Sequence, residues 1–178
     1  MDFLELVKNR HSVRSYLGKN VSRDILERCL EAARLAPSAC NSQPWYFIVV
    51  DNPELKEKLA EAAFSGIYSL NSFAKKAPVL VAVITEKSCF AATLGAALRG
   101  TEYNRIDIGI ACEHFILQAC EEGLGSCWFG WFNERAVKKI LKVASWKKID
   151  LMISLGYPDN AEPPKKERKP LSEISKFI

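Results

Sequence analysis

The segment 107–122 limits the possible folds more than any other part of this 178-residue chain. Its apolar residues lie on every side of a helix, and they are Ile108, Ile110, Ala111, Phe115, Ile116, Leu117 and Cys120. A helix that is hydrophobic all round is stable when other elements enclose it. Gly123 suits the left-handed position that closes such a helix. The sequence therefore predicts a central helix buried inside the fold.

Short apolar runs supply the strands that would surround this helix. They cover residues 45–50, 79–85, 126–131 and 151–155. Helical patterns are predicted at 3–8, 22–36, 53–63 and 134–143, with a less regular one at 89–100. Strands that are apolar on both faces are typical of a sheet covered by helices on both sides. We therefore predict an α+β fold: a three-layer α/β/α sandwich with a central mixed sheet.

Length and charge narrow the class of protein further. The length fits one domain over residues 1–178, in which about 160–178 form an extended polar tail. A net charge of +4 spread over interleaved residues does not indicate nucleic-acid binding. The longest strongly apolar run, 78–85, is far shorter than the ~20 residues of a membrane span. The acidic N-terminus lacks the order of a signal peptide, and we expect a cytoplasmic location without membrane binding.

The six cysteines do not form a metal-binding pattern. They include no C-x-x-C pair, and neither of the two histidines stands at ligand spacing from a cysteine. We expect reduced thiols with a structural role and no metal site. Cys40 is singled out because it lies in a candidate ligand-binding loop, and its role there is left open.

The clamp segment, residues 10–14, carries two arginines around a hydroxyl as Arg10-x-Ser12-x-Arg14. In an extended chain all three side chains point the same way, and residues 10 and 14 lie roughly 13 Å apart. Guanidinium groups match phosphate and carbonyl oxygens well. The segment could thus hold a phosphate at one end and a ring system at the other. The alternative is a solvated basic turn.

Three further segments have the composition of ligand-binding sites. The loop 36–45, APSACNSQPW, combines small residues with amides ahead of a buried strand; the alternative is an ordinary polar connection. The segment 123–131, GLGSCWFGW, contains Gly130, which indicates either a close ligand or a β-bulge. The run 165–170, KKERKP, is by itself typical of a solvated charged tail, and it gains a binding role only in combination with the other segments.

Together these segments resemble the nitroreductase family, in order and over almost the whole chain. The R-x-S-x-R opening, the APSACNSQPW block, GLGSCWFGW, the LGYP turn and the late K-x-R all match, and the second block is the most specific. The resemblance implies a flavin mononucleotide (FMN) site. Arg10 and Ser12 would hold the phosphate, His11 would contribute through its backbone, and Arg14 would approach the N1/O2 edge of the ring.

The resemblance also implies a homodimer with FMN at the interface. A loop from the other subunit would line the flavin through Pro37, Ser38, Ala39 and Asn41, with Gln43 a further candidate. The backbone near Phe129 and Gly130 would face the ring close to N5. Lys166 and Arg168 would complete the phosphate site, and the tail around them would embrace the partner subunit. The segment 64–76 matches the family poorly, and Asn71 is assigned no role.

The implied activity is an NAD(P)H-driven, ping-pong reduction of a nitroaromatic, quinone or similar small acceptor. No protein nucleophile or acid–base pair stands out, which suits an enzyme whose cofactor performs the chemistry. Two alternatives stay open. One is specialised flavin chemistry such as dehalogenation, dehydrogenation or flavin fragmentation. The other is a flavin-binding protein without turnover of its own. The sequence does not identify the acceptor, and it does not distinguish NADH from NADPH as the donor.

Overall fold

The computed structural model describes residues 2–87, 89, 99–160 and 162–178. A long helix, α4 (Tyr103–Glu121), runs through the fold, and it begins one turn earlier than predicted. The prediction of a buried central helix is confirmed, because its core residues Ile108, Ala111, Cys112, Phe115, Ile116 and Ala119 are buried. The other helices are α1 (Phe3–Asn9), α2 (Arg23–Arg34), α3 (Pro53–Ala63), α5 (Glu134–Leu141) and α6 (Leu171–Ile174). Most of the helix predicted at 89–100 lies outside the described residues.

The described strands form a four-stranded sheet in the order β1-β2-β4-β3. The strands are β1 (Trp45–Val50), β2 (Val79–Thr85), β3 (Gly125–Phe129) and β4 (Lys148–Gly156). The first two have the predicted bounds. Strand β3 ends two residues early, and β4 is longer than predicted.

The prediction of a mixed sheet is wrong for these four strands, because all three strand pairs are antiparallel. Val50 at the end of β1 pairs with Leu80 near the start of β2, so the connection containing α3 returns to the end it left. Helix α3 is therefore part of a connection between antiparallel neighbours. The alternation of helices and strands had instead suggested a connection that crosses the sheet to a parallel strand. The described residues contain one parallel pairing, an isolated bridge between Ser12 and Ser126.

Helices cover both faces of the sheet, which confirms the α/β/α layering. Alternate residues of β2 face opposite layers, as the period of a strand requires. Val79, Val81 and Val83 pack with α2 and α4. Leu80, Ala82 and Ile84 pack with α3 and α5.

Two segments outside the sheet differ from simple expectation. The irregular segment predicted at 64–76 contains a 3-10 helix, Gly66–Lys76, with a break at Asn71. The tail beyond residue 160 has one short helix, α6, and its large apolar side chains are exposed: Leu171, Ile174, Phe177 and Ile178. No helix among the described residues is long and apolar enough to cross a membrane.

Candidate functional site

The clamp segment is extended, as its spacing predicted. The N–H of Val13 donates to the Ser126 carbonyl at 2.9 Å, which adds the segment to the free edge of β3. Val13 is buried, whereas Ser12 and Arg14 on either side of it are exposed. One face of the segment therefore packs on the protein, and the face that carries the hydroxyl and the second guanidinium stays accessible.

Gly125 makes this close approach possible, and the sequence analysis missed it. A Cβ at Gly125 would lie 2.6 Å from Cγ2 of Val13, closer than real contacts allow. Gly130, which sequence reasoning singled out, has a less demanding environment: a Cβ there would meet the Asp150 carbonyl at an ordinary 3.8 Å. The β3–β4 register runs without a shift from Gly125 to Phe129, and Gly130 follows directly after the strand.

The tail returns to the clamp segment through Lys166. Its Nζ donates to the Val7 carbonyl at 2.6 Å and to the Arg10 carbonyl at 2.5 Å, at the C-terminal end of α1. Partial burial lowers the pKa of the Lys166 ammonium, and the nearby charges of Arg10 and Arg168 lower it further. The structure thus brings together three of the cations predicted for a phosphate site, although like charges repel.

Arg10 has a donor that is not used. Its Nε is buried and has no hydrogen-bond partner among the described residues, and the Glu113 carboxylate stands 3.9 Å away. Beside it lies a cavity of about 270 Å³ whose wall includes Ser12 and Trp128. The Trp128 indole N–H is also buried, and the part of the chain that the structure describes offers it no acceptor. Two unpaired donors beside one cavity suit a ligand that carries acceptor oxygens.

The other end of the clamp segment meets the residues expected at the flavin ring. The Arg14 guanidinium lies 5.8 Å from the ring centroid of Phe73, and that ring lies 6.2 Å from the ring of Phe129. Phe129 is buried, with its ring also edge-on to Phe64 at 5.1 Å. Only its backbone is therefore available to a ligand. A cleft of about 500 Å³ runs along the segment, between His11–Ser15 and the tail residues Asn160, Glu162, Pro163 and Pro164.

The loop 37–43 has an unusual backbone that sequence reasoning did not anticipate. Cys40, Asn41 and Gln43 have φ values of 51°, 52° and 46°, in the left-handed region. Such residues cost free energy unless surrounding contacts hold them, and they concentrate at functional sites. Here the Gln43 N–H donates to Ser38 Oγ at 2.9 Å, and the Gln43 side-chain amide donates to Asn41 Oδ1 at 3.1 Å.

The loop 37–43 and the clamp segment lie at diagonal corners of the sheet. The clamp segment pairs with Ser126, whose neighbour Leu155 pairs with Val79 at the start of β2. The loop leads into Trp45, which pairs with Thr85 at the other end of β2. Three strand spacings and six residues of strand separate Ser126 from Trp45, roughly 14 Å by 20 Å, or ~24 Å diagonally. The clamp segment lies one strand further out than Ser126, so the two segments flank opposite corners of the described sheet.

The remaining candidates for chemistry are the cysteines. Burial raises the pKa of the Cys29 and Cys112 thiols to about 12, and it also raises the pKa of Cys127. These three thiols are therefore protonated and unreactive near neutral pH. Cys40 and Cys89 are exposed. No group of three or more potential metal ligands occurs among the described residues.

The antiparallel sheet, the enclosed helix and the basic clamp segment are features of an α+β protein of the nitroreductase fold. A solved FMN-dependent nitroreductase from Clostridium difficile R20291 superposes with a TM-score of 0.72 at 29% identity, covering 96% of this chain and 94% of that one. The chain belongs to the nitroreductase family, whose sequence model matches residues 7–157.

Two relatives show how the family varies around this sequence. A putative NADH dehydrogenase/NAD(P)H nitroreductase from Methanothermobacter thermautotrophicus is 31% identical over 89% of this chain and 78% of its own length. An iodotyrosine deiodinase from Thermotoga neapolitana is 27% identical over 89% of this chain and 90% of its own. The similar proteins thus include one named as a nitroreductase and one named as a deiodinase.

Proposed function

We propose that this protein is an FMN-dependent oxidoreductase that uses NADH or NADPH to reduce a nitroaromatic, quinone or similar small acceptor. It would act as a cytoplasmic homodimer of single FMN-binding domains. The proposal is supported most directly by the cationic cluster of Arg10, Lys166 and Arg168, which gathers positive charge around an unused buried donor. Such a cluster is stabilised when an anion neutralises it.

The residues of the clamp segment fit the two ends of FMN. Arg10 and Ser12 would bind the phosphate together with Lys166 and Arg168, and His11 would contribute its backbone. Arg14 stands at the other end, beside the ring of Phe73, which in turn packs edge-on against the ring of Phe129. A cation held there would stabilise negative charge on the reduced ring, which is one way a protein tunes a bound cofactor.

The diagonal separation of the two half-sites supports the homodimer. A flavin held by the clamp segment of one subunit needs a second copy to supply a loop 37–43 at the same place. Pro37, Ser38, Ala39, Asn41 and Gln43 would then line it from the partner. The exposed apolar tail supports the same arrangement, because large exposed apolar patches usually mark contact surfaces.

In this mechanism the protein binds and orients, and it does not supply a nucleophile. When bound, FMN would supply two-electron redox chemistry between the nicotinamide and the acceptor. The clamp segment and tail would hold the phosphate end, Arg14 would place positive charge at the ring end, and the loop would restrict access from the partner side. The buried thiols take no part, because their raised pKa values keep them protonated.

The spectrum of the purified full-length protein tests the proposal. We expect the absorption of oxidised flavin, released as FMN on denaturation and bleached anaerobically by NADH or NADPH. Menadione or a nitroaromatic should then restore the oxidised spectrum and support steady turnover. A protein that stays colourless after incubation with excess FMN would contradict the proposal. A yellow protein that nicotinamides fail to bleach would instead indicate flavin binding without this activity.

Reductive dehalogenation is a second candidate, because the deiodinase similarity covers 90% of that relative. The same flavin site would serve, with a halogenated aromatic in place of the nitro compound or quinone. Halide release from a mono-iodinated phenol by the chemically reduced enzyme would favour this candidate. Reoxidation by menadione without halide release would favour the quinone and nitro reductase.

A further inference from the structure

A buried carboxylate in α4 contacts the loop 37–43. Asp107 is 3% exposed, although burying a carboxylate costs free energy unless it is paired. Its Oδ1 accepts the backbone N–H of Ala39 at 3.0 Å. Its Oδ2 is buried and has no hydrogen-bond partner in the described part of the chain. An apolar side chain would fill this position at lower cost if packing were its only role.

The contact falls at the point where the loop needs external support. Ser38 is extended, with φ −148° and ψ 156°, and the 3-10 turn Ala39–Asn41 starts immediately after it. Within the next residues Cys40, Asn41 and Gln43 adopt left-handed conformations. The Ser38–Gln43 and Ser42–Ala39 hydrogen bonds are internal to the loop, so they fix its shape and not its position. The bond to Asp107 ties that shape to the central helix.

We propose that Asp107 is a positioning residue for flavin binding: by holding the Ala39 N–H, it fixes loop 37–43 where the loop can line the flavin of the partner subunit. This inference rests on the proposed function. Without the bond, only a fraction of molecules would hold the loop in the binding geometry, and the apparent FMN affinity would fall by that fraction. The acceptor oxygen is the feature required, so an amide oxygen at the same place should serve.

Two substitutions at Asp107 separate positioning from packing. Asp107→Leu removes the acceptor and keeps the branched shape of the side chain at a larger volume, whereas Asp107→Asn keeps an acceptor oxygen for Ala39. Phe115→Leu is the control for packing: Phe115 is buried about 12 Å along the same helix from Asp107 and stacks on Phe47 of β1. It should lower thermal stability without altering the loop.

Two measurements on the full-length protein carry the test. Amide hydrogen exchange of the flavin-free protein reports the Ala39 N–H, and quenching of FMN fluorescence gives the Kd. For Asp107→Leu we expect Ala39 to lose its protection and the FMN Kd to rise about ten-fold. In Asp107→Asn the Ala39 protection and the FMN Kd should stay within about three-fold of the wild type. In Phe115→Leu both quantities should be unchanged, although the melting temperature falls about as much as in Asp107→Leu.

Some outcomes would overturn the inference. If Asp107→Leu removes Ala39 protection and leaves the FMN Kd unchanged, the bond does not position the flavin loop. Unchanged Ala39 protection in that variant would mean that the bond does not hold the loop. If Asp107→Leu does not fold, Ala39→Pro removes the same N–H at the first position of a turn, after an extended residue that tolerates proline. An unchanged FMN Kd there would also refute the inference. A wild-type protein that binds no FMN would refute the proposed function instead. Hydrogen exchange of the Ala39 N–H would then still report on its bond to Asp107.

Discussion

Replacing Lys166 with methionine tests whether the tail completes a phosphate site. The Lys166 ammonium holds two carbonyls at the end of α1 and stands beside two arginine charges that lower its pKa. A lysine at this position, among like charges, is explained if its ammonium also binds an anion. Methionine keeps the length and most of the volume of the side chain but carries no charge. We therefore expect Lys166→Met to weaken FMN binding through the phosphate.

The expected loss is about ten-fold in Kd. Removing a charged hydrogen-bond partner costs on the order of 1.5–3 kcal/mol. The lower end applies here, because Lys166 is only partly buried and Arg10 and Arg168 remain. About 1.4 kcal/mol corresponds to a factor of ten. Loss of the contacts to α1 should add little to global instability, because no residue of α1 is buried.

Riboflavin, which has the same ring without the phosphate, makes the test specific. The Kd values of FMN and riboflavin would be measured by fluorescence quenching for the wild type and for Lys166→Met. We expect the variant to lose affinity for FMN and to bind riboflavin as the wild type does. Lys165→Met, at the exposed neighbouring residue, is the matched control and should change neither Kd. Equal losses for FMN and riboflavin would refute the phosphate assignment, since a phosphate contact cannot act on riboflavin.

Three further predictions concern the clamp segment and the tail. Arg14→Ala should make bound FMN harder to reduce, lowering its two-electron potential by about 30–60 mV in a xanthine oxidase-coupled titration, since ~30 mV corresponds to ~1.4 kcal/mol. Arg10→Ala should mainly raise the FMN Kd. Equal effects of the two substitutions on potential and affinity would contradict this division. Gly125→Ala should destabilise the fold by roughly 1–3 kcal/mol in denaturant unfolding, because the new methyl group would overlap Val13; an unchanged midpoint would disprove the steric argument. Deletion of residues 171–178 should shift the protein toward monomer in sedimentation velocity, and a stable dimer after deletion would remove the tail from the interface.

The pH dependence of FMN binding follows from the Lys166 cluster. Burial and neighbouring cations favour the neutral amine, so Lys166 loses its proton at a lower pH than an ordinary lysine. A bound phosphate favours the charged form. FMN affinity should therefore be highest below the lowered pKa of Lys166 and should decrease as the pH rises through it. The same alkaline decrease in Lys166→Met would assign it to another group.

Most of the secondary structure could be predicted because it follows from local pattern. The bounds of β1 and β2 follow from runs of β-branched and aromatic residues, and Asn52 caps α3 as its position before a proline indicates. Pairing direction could not be predicted in the same way. It depends on whether the chain returns to the end of the sheet that it left, and periodicity does not report this. That is why the sheet is antiparallel where a mixed one was expected.

The residues missed at the site act through neighbours distant in sequence. Gly125 is required by Val13, and Asp107 is explained by Ala39. A signal existed for Asp107, since it is an acidic residue between Ile106 and Ile108, at the start of the apolar part of this helix. Sequence reasoning used that helix for the core and overlooked its one charged buried residue. A buried charge in such a helix points to a partner on another element.

The arrangement of the two half-sites also explains why each segment by itself gave only weak evidence of a binding site in the sequence. The clamp segment and the loop 37–43 occupy diagonal corners of one sheet, so the residues of the predicted site come from segments that are separated within one chain. The unpaired donors of Arg10 and Trp128 and the left-handed backbone of Cys40 and Asn41 both carry a cost in an isolated subunit. Both costs are offset together if a ligand and a second subunit bind at the same place. On this reasoning flavin binding and dimer formation are thermodynamically coupled, and each should strengthen the other.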